Sequence, residues 1–183
     1  MRAFLAVDID GELQDKIYGV QKQLMRADAP TKFVEPHNLH FTFKFFGDIS
    51  KEKAGEIINV TEDKVQNYSP FEILIKRVGV FPNLRYIKVL WLGAEDTEPF
   101  SKLQKDLDED FLKMGFKKER SYVPHLTIGR VKGAKNKDAL ISKIEELKEV
   151  EIGKMRIEKL LLKESELTPE GPIYTTIKEF NLK

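Results

Sequence analysis

The chain alternates between segments in which hydrophobic residues recur at every second position and segments in which they recur with a helical period. The first pattern predicts strands and the second predicts amphipathic helices. Strands are predicted at 2–9, 39–46, 71–80, 86–92, 122–131, 155–163 and 173–180. Helices are predicted after Asp10-Gly11, from Ser50 to about 67, at 97–114 and at 136–148. The two halves of the chain therefore show the same order of elements.

A single offset relates the two halves. His125 follows His40 by 85 residues, and adding 85 to the other elements of the first half tests whether the chain is duplicated. The shift carries three predicted elements onto predicted elements of the second half: Glu12 onto Thr97, Lys51 onto Asn136 and Phe71 onto Arg156. We infer one domain over 1–183 with two related lobes, formed by repeats at about 1–81 and 86–166 and followed by the strand at 173–180.

Two tetrapeptides one repeat apart contain the candidate chemistry: His40-Phe41-Thr42-Phe43 and His125-Leu126-Thr127-Ile128. On a strand, alternate side chains share a face, so each histidine lies beside its threonine while the apolar residues enter the core. In the strand predicted at 39–46, this alternation places Leu39 and Phe45 on the core face and Lys44 on the histidine face. An imidazole and a hydroxyl side by side can donate hydrogen bonds to a phosphate and exchange protons with it.

Two imidazoles with pKa values near neutrality suit acid–base catalysis in which one is neutral and the other protonated. The alternative is that both are structural histidines that hold neighbouring strands. His37 has no accompanying threonine and lies in a loop, so we assign it a structural or incidental role. A metal site is disfavoured because His37 and His40 would point to opposite faces and no carboxylate accompanies either motif in a ligand-like pattern.

Composition restricts the chemistry further. The 183 residues are 41% hydrophobic and 33% charged, which is typical of a soluble globular protein. The absence of cysteine excludes disulfides, cysteine-ligated zinc and thiol nucleophiles. The apolar run at the N-terminus is too short for a signal peptide, and no stretch reaches transmembrane length, so we expect a cytoplasmic protein with no membrane partner.

Basic residues cluster near both histidines although the net charge is only +1. They are Lys32 and Lys44 near the first, and Lys117, Lys118, Arg120, Arg130, Lys132, Lys135 and Lys137 near the second. Charge runs are usually solvated surface, but this proximity to the histidines favours a role in binding a phosphate backbone. Strand parity points Arg130 away from the histidine face, so its role as a substrate-binding residue requires a bulge or a strand end, and a surface ion pair is the alternative.

Three aromatic residues near the motifs are Phe81, Trp91 and Tyr122. Each could stack on a base or fill the core. Large aromatic side chains are usually buried, so we favour the core for all three.

The motifs and their flanks resemble the two-histidine (2H) phosphoesterases, and within them the RNA 2',3'-cyclic phosphodiesterases that are also called 2'-5' RNA ligases. The resemblance extends over nearly the whole chain, through residues 1–8, 38–47, 80–82, 91–93, 122–130 and 165–174. Phe41 and Phe46 depart from it, because an aliphatic residue and a leucine are expected there. Both replacements are apolar and leave the chemistry intact.

The resemblance implies an α+β fold with two lobes and pseudo-two-fold symmetry, in which two antiparallel sheets backed by helices enclose a central cleft. It also implies that His40 donates a proton to the ribose 3' oxygen and that His125 accepts one from water, which converts an RNA 2',3'-cyclic phosphate into a 2'-phosphate. Thr42 and Thr127 would bind the non-bridging oxygens.

The same resemblance implies neither metal nor ATP as a cofactor, and it implies 2'-5' ligation when a 5'-hydroxyl replaces water. The expected partner is an RNA with a cyclic phosphate end, such as a tRNA fragment, bound by a monomer. Two alternatives remain. One is a non-catalytic RNA- or nucleotide-binding module that uses the same cleft. The other is an enzyme that trims oligonucleotide ends or acts on cyclic phosphates of the ADP-ribose type.

Overall fold

The computed structural model describes residues 1–183 as four helices and nine strands in two antiparallel sheets. The strands are β1 (Arg2–Asp8), β2 (Thr31–Phe33), β3 (His40–Asp48), β4 (Phe71–Asn83), β5 (Tyr86–Glu95), β6 (Leu126–Val131), β7 (Glu151–Ile157), β8 (Lys159–Thr168) and β9 (Gly171–Asn181). The helices are α1 (Gly11–Met25), α2 (Lys51–Val65), α3 (Glu98–Lys113) and α4 (Lys137–Leu147). The predicted α+β class is confirmed.

Each sheet contains strands from both halves of the chain. The first sheet has the order β3-β1-β8-β9, and the second has the order β2-β6-β5-β4-β7. The third long strand of each repeat, β4 or β8, thus pairs with the first strand of the other repeat, β5 or β1. The boundaries at 81 and 86 therefore separate two repeats in the sequence but not two lobes in the structure. Each lobe contains one long strand from the other repeat.

The helices are exchanged in the same way. Although α3 follows β5 of the second sheet, it packs on β3 of the first, where the ring of Phe100 lies 4.3 Å from Phe43 and 5.8 Å from Phe41. Conversely, α1 follows β1 of the first sheet and packs against β7 and α4 at the second. The apolar faces of both helices are buried in one core that joins the two sheets; they are Leu13, Ile17, Val20 and Leu24 in α1 and Phe100, Leu103, Leu107 and Phe111 in α3.

Two predicted strands need correction, and one strand was not predicted. The strand predicted at 155–163 is interrupted at Glu158, and its two parts, β7 and β8, belong to different sheets. The strand predicted at 122–131 begins only at Leu126, so His125 lies in the loop just before it. The connection from Pro30 to Pro36 contains β2, which pairs with β6, and leads into a short 3-10 helix.

A bulge interrupts β3 and β6 at equivalent positions. In β3, Thr42 and Lys44 pair with consecutive residues of β1, which leaves Phe43 as the extra residue. In β6, Ile128 is the extra residue opposite β5. A bulge changes which side chains share a face, so the strict alternation predicted for 39–46 is wrong beyond Phe43.

Two buried glutamines satisfy the carbonyl groups of these bulge residues. Gln104 of α3 donates from Nε2 to the Phe43 carbonyl oxygen at 2.9 Å. Gln21 of α1 donates to the Ile128 carbonyl oxygen at 2.9 Å and also to that of Val34. Because a buried carbonyl without a donor is costly, these side chains stabilise the two bulges.

Candidate active site

A cleft of about 930 Å³ lies between the sheets, where β3 approaches β6. Its lining contains all five residues that the sequence singled out: His40, Thr42, His125, Thr127 and Arg130. The exposed His37 lies at the rim of the same cleft. Two motifs far apart in the sequence therefore share one solvent-accessible space.

The His40 ring is held by one hydrogen bond and two aromatic rings. Its Nδ1 lies 2.7 Å from the carbonyl oxygen of Asn38. Since a carbonyl can only accept, Nδ1 carries the proton, and Nε2 is the nitrogen left for chemistry. The ring centroids of Phe4 and Tyr174 lie 5.0 Å and 5.4 Å from that of His40.

His125 has the corresponding arrangement. The backbone of Val123, two residues upstream as Asn38 is from His40, raises the pKa of its ring. Phe81 and Trp91 flank the ring at centroid distances of 4.9 Å and 4.5 Å. The preference for core positions was therefore wrong for Phe81 and Trp91. Gly79 allows the indole to approach, because a Cβ at that position would lie 2.2 Å from the Trp91 ring.

The charges around the two rings differ. Burial lowers the pKa of His40, and of the two charged neighbours Lys163 lowers it while Asp8 raises it. Lys163 and Asp8 form an ion pair at 2.7 Å, and Asp8 lies opposite His40 in the sheet. Burial also lowers the pKa of His125, where the only charged neighbour that contributes is Arg77, which lowers the pKa further.

Arg130 lies in the cleft, contrary to strand parity. The bulge at Ile128 places Arg130 on the same face as Thr127, and Lys32 pairs with Arg130 across β2 and β6. Both cations line the cleft. Burial raises the pKa of the Tyr174 hydroxyl, whereas the charge of Arg130 lowers it, which places Arg130 near the ring that contacts His40.

Lys44 does not lie on the histidine face. Its ammonium group is buried and pairs with Asp108 at 2.7 Å, and the two side chains are only 4% and 2% exposed. It also donates to the carbonyl of Lys117, and Asp108 accepts from the Glu119 amide and the Tyr122 hydroxyl at 2.8 Å and 2.9 Å. Lys44 therefore anchors the loop that leads to His125. Tyr122 belongs to this network, and burial raises the pKa of its hydroxyl to about 12.

Several residues around the site were not identified from the sequence. Asp8, Lys163, Phe4 and Tyr174 come from β1, β8 and β9 and meet at His40. The segments 1–8 and 165–174 already carried the family resemblance, so Phe4, Asp8 and Tyr174 were within that signal, whereas Lys163 lay outside it. No group of three or more histidine and carboxylate side chains is arranged to hold a metal ion. None of the helices has the length and apolar character needed to cross a membrane.

Comparison with known proteins agrees with this geometry. The family model described as the 2'-5' RNA ligase superfamily matches residues 15–166. A Methanothermobacter thermautotrophicus protein named RNA 2',3'-cyclic phosphodiesterase is 57% identical over 182 residues, with 100% of this chain and 99% of the relative covered. A Methanocaldococcus jannaschii protein of the same name is 43% identical, with 98% and 100% covered.

A solved structure has the same fold. The crystal structure of TT0787 of Thermus thermophilus superimposes with a TM-score of 0.85 at 26% identity, and the match covers 100% of this chain and 98% of that one. The two sheets and the cleft between them therefore belong to a fold that has been observed experimentally.

Proposed function

The chain belongs to the 2'-5' RNA ligase superfamily, and on this premise we propose that it hydrolyses RNA 2',3'-cyclic phosphate ends to 2'-phosphates without metal or ATP. The observation that carries the proposal is the pair of imidazoles in one cleft, each packed against two aromatic rings. Two such rings can supply both proton transfers that ring opening requires.

In the proposed reaction, His125 is neutral and accepts a proton from water as the water oxygen bonds to phosphorus. The bond between phosphorus and the ribose 3' oxygen breaks, and protonated His40 donates a proton to that oxygen. The products are a 2'-phosphate and a 3'-hydroxyl. The assignment of the two roles follows the family resemblance: at His40 the charge of Asp8 favours the protonated form and that of Lys163 opposes it, whereas Arg77 favours neutral His125.

The remaining polar groups of the cleft match the charge of the transition state. The hydroxyls of Thr42 and Thr127 are proposed to donate to the non-bridging oxygens, where negative charge increases during attack. Arg130 and Lys32 supply positive charge on adjacent strands of the same cleft. Their arrangement suits the phosphates of an RNA end.

If a 5'-hydroxyl takes the place of water, the same two proton transfers produce a 2'-5' phosphodiester. The energy for this ligation is stored in the cyclic phosphate, so no nucleoside triphosphate is needed. RNA ends, including those of tRNA fragments, are the proposed partners of a monomeric, cytoplasmic protein.

The test is the turnover of a nucleoside 2',3'-cyclic phosphate in buffer that contains EDTA, with the product identified by phosphorus NMR. We expect ring opening to the 2'-phosphate. A 3'-phosphate product, or turnover that appears only after a divalent metal is added, would overturn the proposal. Binding of RNA ends without turnover in either buffer would identify a non-catalytic binding module.

A further inference from the structure

A second groove, of about 850 Å³, adjoins the cleft on the His125 side. The two spaces share Thr42, Phe45 and His125, but His40 lines only the cleft. The other wall of the groove is the loop 115–124, which the buried pair of Lys44 and Asp108 holds in place. The reacting centre thus lies between two preformed spaces.

The repeat relates these spaces to each other. The segment 32–38, before His40, lines the cleft except at Pro36, and the segment 116–124, before His125, lines the groove except at Tyr122. Adding 85 carries Lys32 of the cleft onto Lys117 of the groove, and it carries Phe45, which both spaces share, onto Arg130 of the cleft. The groove is therefore the pseudo-symmetric counterpart of the cleft that we assign to the cyclic phosphate end.

The groove presents apolar surface together with unpaired positive charge. Phe45, Phe81 and Val123 are 48%, 42% and 61% exposed. Lys117, Lys118 and Arg120 line the same space and form no ion pair, because the single acidic residue among them, Glu119, pairs with Lys44. Exposed aromatic rings beside free cations are typical of surfaces that bind single-stranded nucleic acid.

The geometry of in-line displacement determines the side of phosphorus from which the attacking group approaches. The attacking and departing oxygens lie on opposite sides of phosphorus, so an attacker deprotonated by His125 approaches from the side away from His40. We propose that the groove binds the attacking strand of the ligation, a single-stranded RNA with a 5'-hydroxyl end. This inference rests on the proposed function and adds the site of the second substrate.

The ligation step needs no reactant besides the cyclic phosphate end and the 5'-hydroxyl end. The 5' oxygen bonds to phosphorus, its proton passes to His125, and the bond to the 3' oxygen breaks while His40 protonates that oxygen. The product is a 2'-5' phosphodiester beside a 3'-hydroxyl.

The test compares two triple variants of the full chain. K117A/K118A/R120A removes three positive charges from the groove, and K132A/K135A/K137A removes three from the surface around the start of α4, outside both spaces. For the groove variant we expect the concentration of 5'-hydroxyl RNA that gives half-maximal ligation to rise at least about tenfold, because phosphate contacts are lost. The surface variant should match wild type, and both variants should hydrolyse a mononucleoside cyclic phosphate at the wild-type rate.

Wild-type ligation by the groove variant would overturn the proposal, and so would equal losses of ligation in the two triple variants. A third contradicting result is a groove variant that hydrolyses a mononucleoside cyclic phosphate normally but loses hydrolysis of a cyclic phosphate on an oligonucleotide. The last result would assign the groove to the RNA that bears the cyclic phosphate. Fluorescence anisotropy with a 5'-hydroxyl oligonucleotide gives a readout that does not depend on turnover. If wild type has no activity, the proposed function fails, and the comparison of binding by the two variants still decides whether the groove holds RNA.

Discussion

His40 and His125 occupy equivalent positions of the repeat, but the groups around the two rings are not equivalent. Each ring packs against two aromatic rings and is followed by a threonine and a bulge. The ion pair of Asp8 and Lys163 lies beside His40, whereas the charged neighbour that affects His125 is Arg77, which is itself paired with Glu95 at 2.7 Å. The duplicated motifs thus place two similar imidazoles in one cleft, and the proposed roles of proton donor and proton acceptor would have to be distinguished by side chains outside the motifs.

Removal of either imidazole tests whether both halves act. His40→Ala and His125→Ala should each lower kcat/KM by about 10²- to 10⁴-fold, which is the usual contribution of one general acid or base. His37→Ala is the matched control and should keep wild-type activity, because His37 is exposed at the rim. Thermal unfolding checks that all three variants fold. Near-normal turnover in either of the first two variants would contradict the acid–base pair.

The buried lysine tests a structural difference between the halves. Lys44 corresponds to Gly129 in the repeat, so only the first half has a buried ion pair at this position. Lys44→Met leaves Asp108 without its cation and should cost about 3–5 kcal/mol in the free energy of unfolding. Lys53→Met breaks the exposed pair with Glu56 and should cost no more than about 0.5 kcal/mol. Denaturant titration measures both, and equal losses would show that Lys44 is not an anchor.

The two glutamines test whether the bulges position the cleft. Gln21→Met and Gln104→Met should each cost about 1–3 kcal/mol in unfolding free energy, because a buried carbonyl loses its donor. Only Gln21→Met alters the bulge that places Arg130, so only this variant should raise KM for an RNA substrate. Steady-state kinetics on RNA ends distinguishes the two variants. Equal KM values would mean that the Ile128 bulge does not control Arg130.

The charges beside the rings predict small and opposite changes in the pH profile. Asp8→Asn removes the carboxylate that raises the pKa of His40, so that pKa falls. Because protonated His40 is the proposed donor, the alkaline limb of kcat/KM should move to lower pH. Arg77→Gln removes a cation that lowers the pKa of His125, so the acidic limb should move to higher pH.

Asp10→Asn, at an exposed carboxylate without an ion pair, serves as the control for these profiles and should leave both limbs in place. A shift of the acidic limb in Asp8→Asn would reverse the two roles.

The helices and the two histidine motifs could be predicted from the sequence because each depends on a local pattern. The stripe of Leu103, Leu107 and Phe111 is the buried face of α3, and the Ser50 side chain caps α2 by accepting from the Lys53 amide at 3.1 Å. Such features are determined within a few residues of chain, which is the range that hydrophobic periodicity detects.

The errors came from interactions between distant segments. The bulges that expose Phe45 and Arg130 are stabilised by Gln104 and Gln21, and Gln21 lies 107 residues from Ile128. Likewise, hydrophobic pattern cannot separate a core aromatic from one that packs against a catalytic ring, as Phe81 does. The 85-residue offset also cannot show that β4 and β8 each pair with a strand of the other repeat. The offset aligns these two strands with each other whichever sheet they join.

The most direct test of the two roles is rescue by a better leaving group. In a nucleoside 2',3'-cyclic phosphorothiolate with sulfur at the 3' position, the leaving thiolate needs no proton, so the proton donor becomes dispensable while the proton acceptor does not. A thiol reagent measures the released 3'-thiol. We predict that His40→Ala opens this substrate at close to the wild-type rate and that His125→Ala remains inactive. Rescue of His125→Ala instead, or of neither variant, would contradict the assignment of His40 as donor and His125 as acceptor.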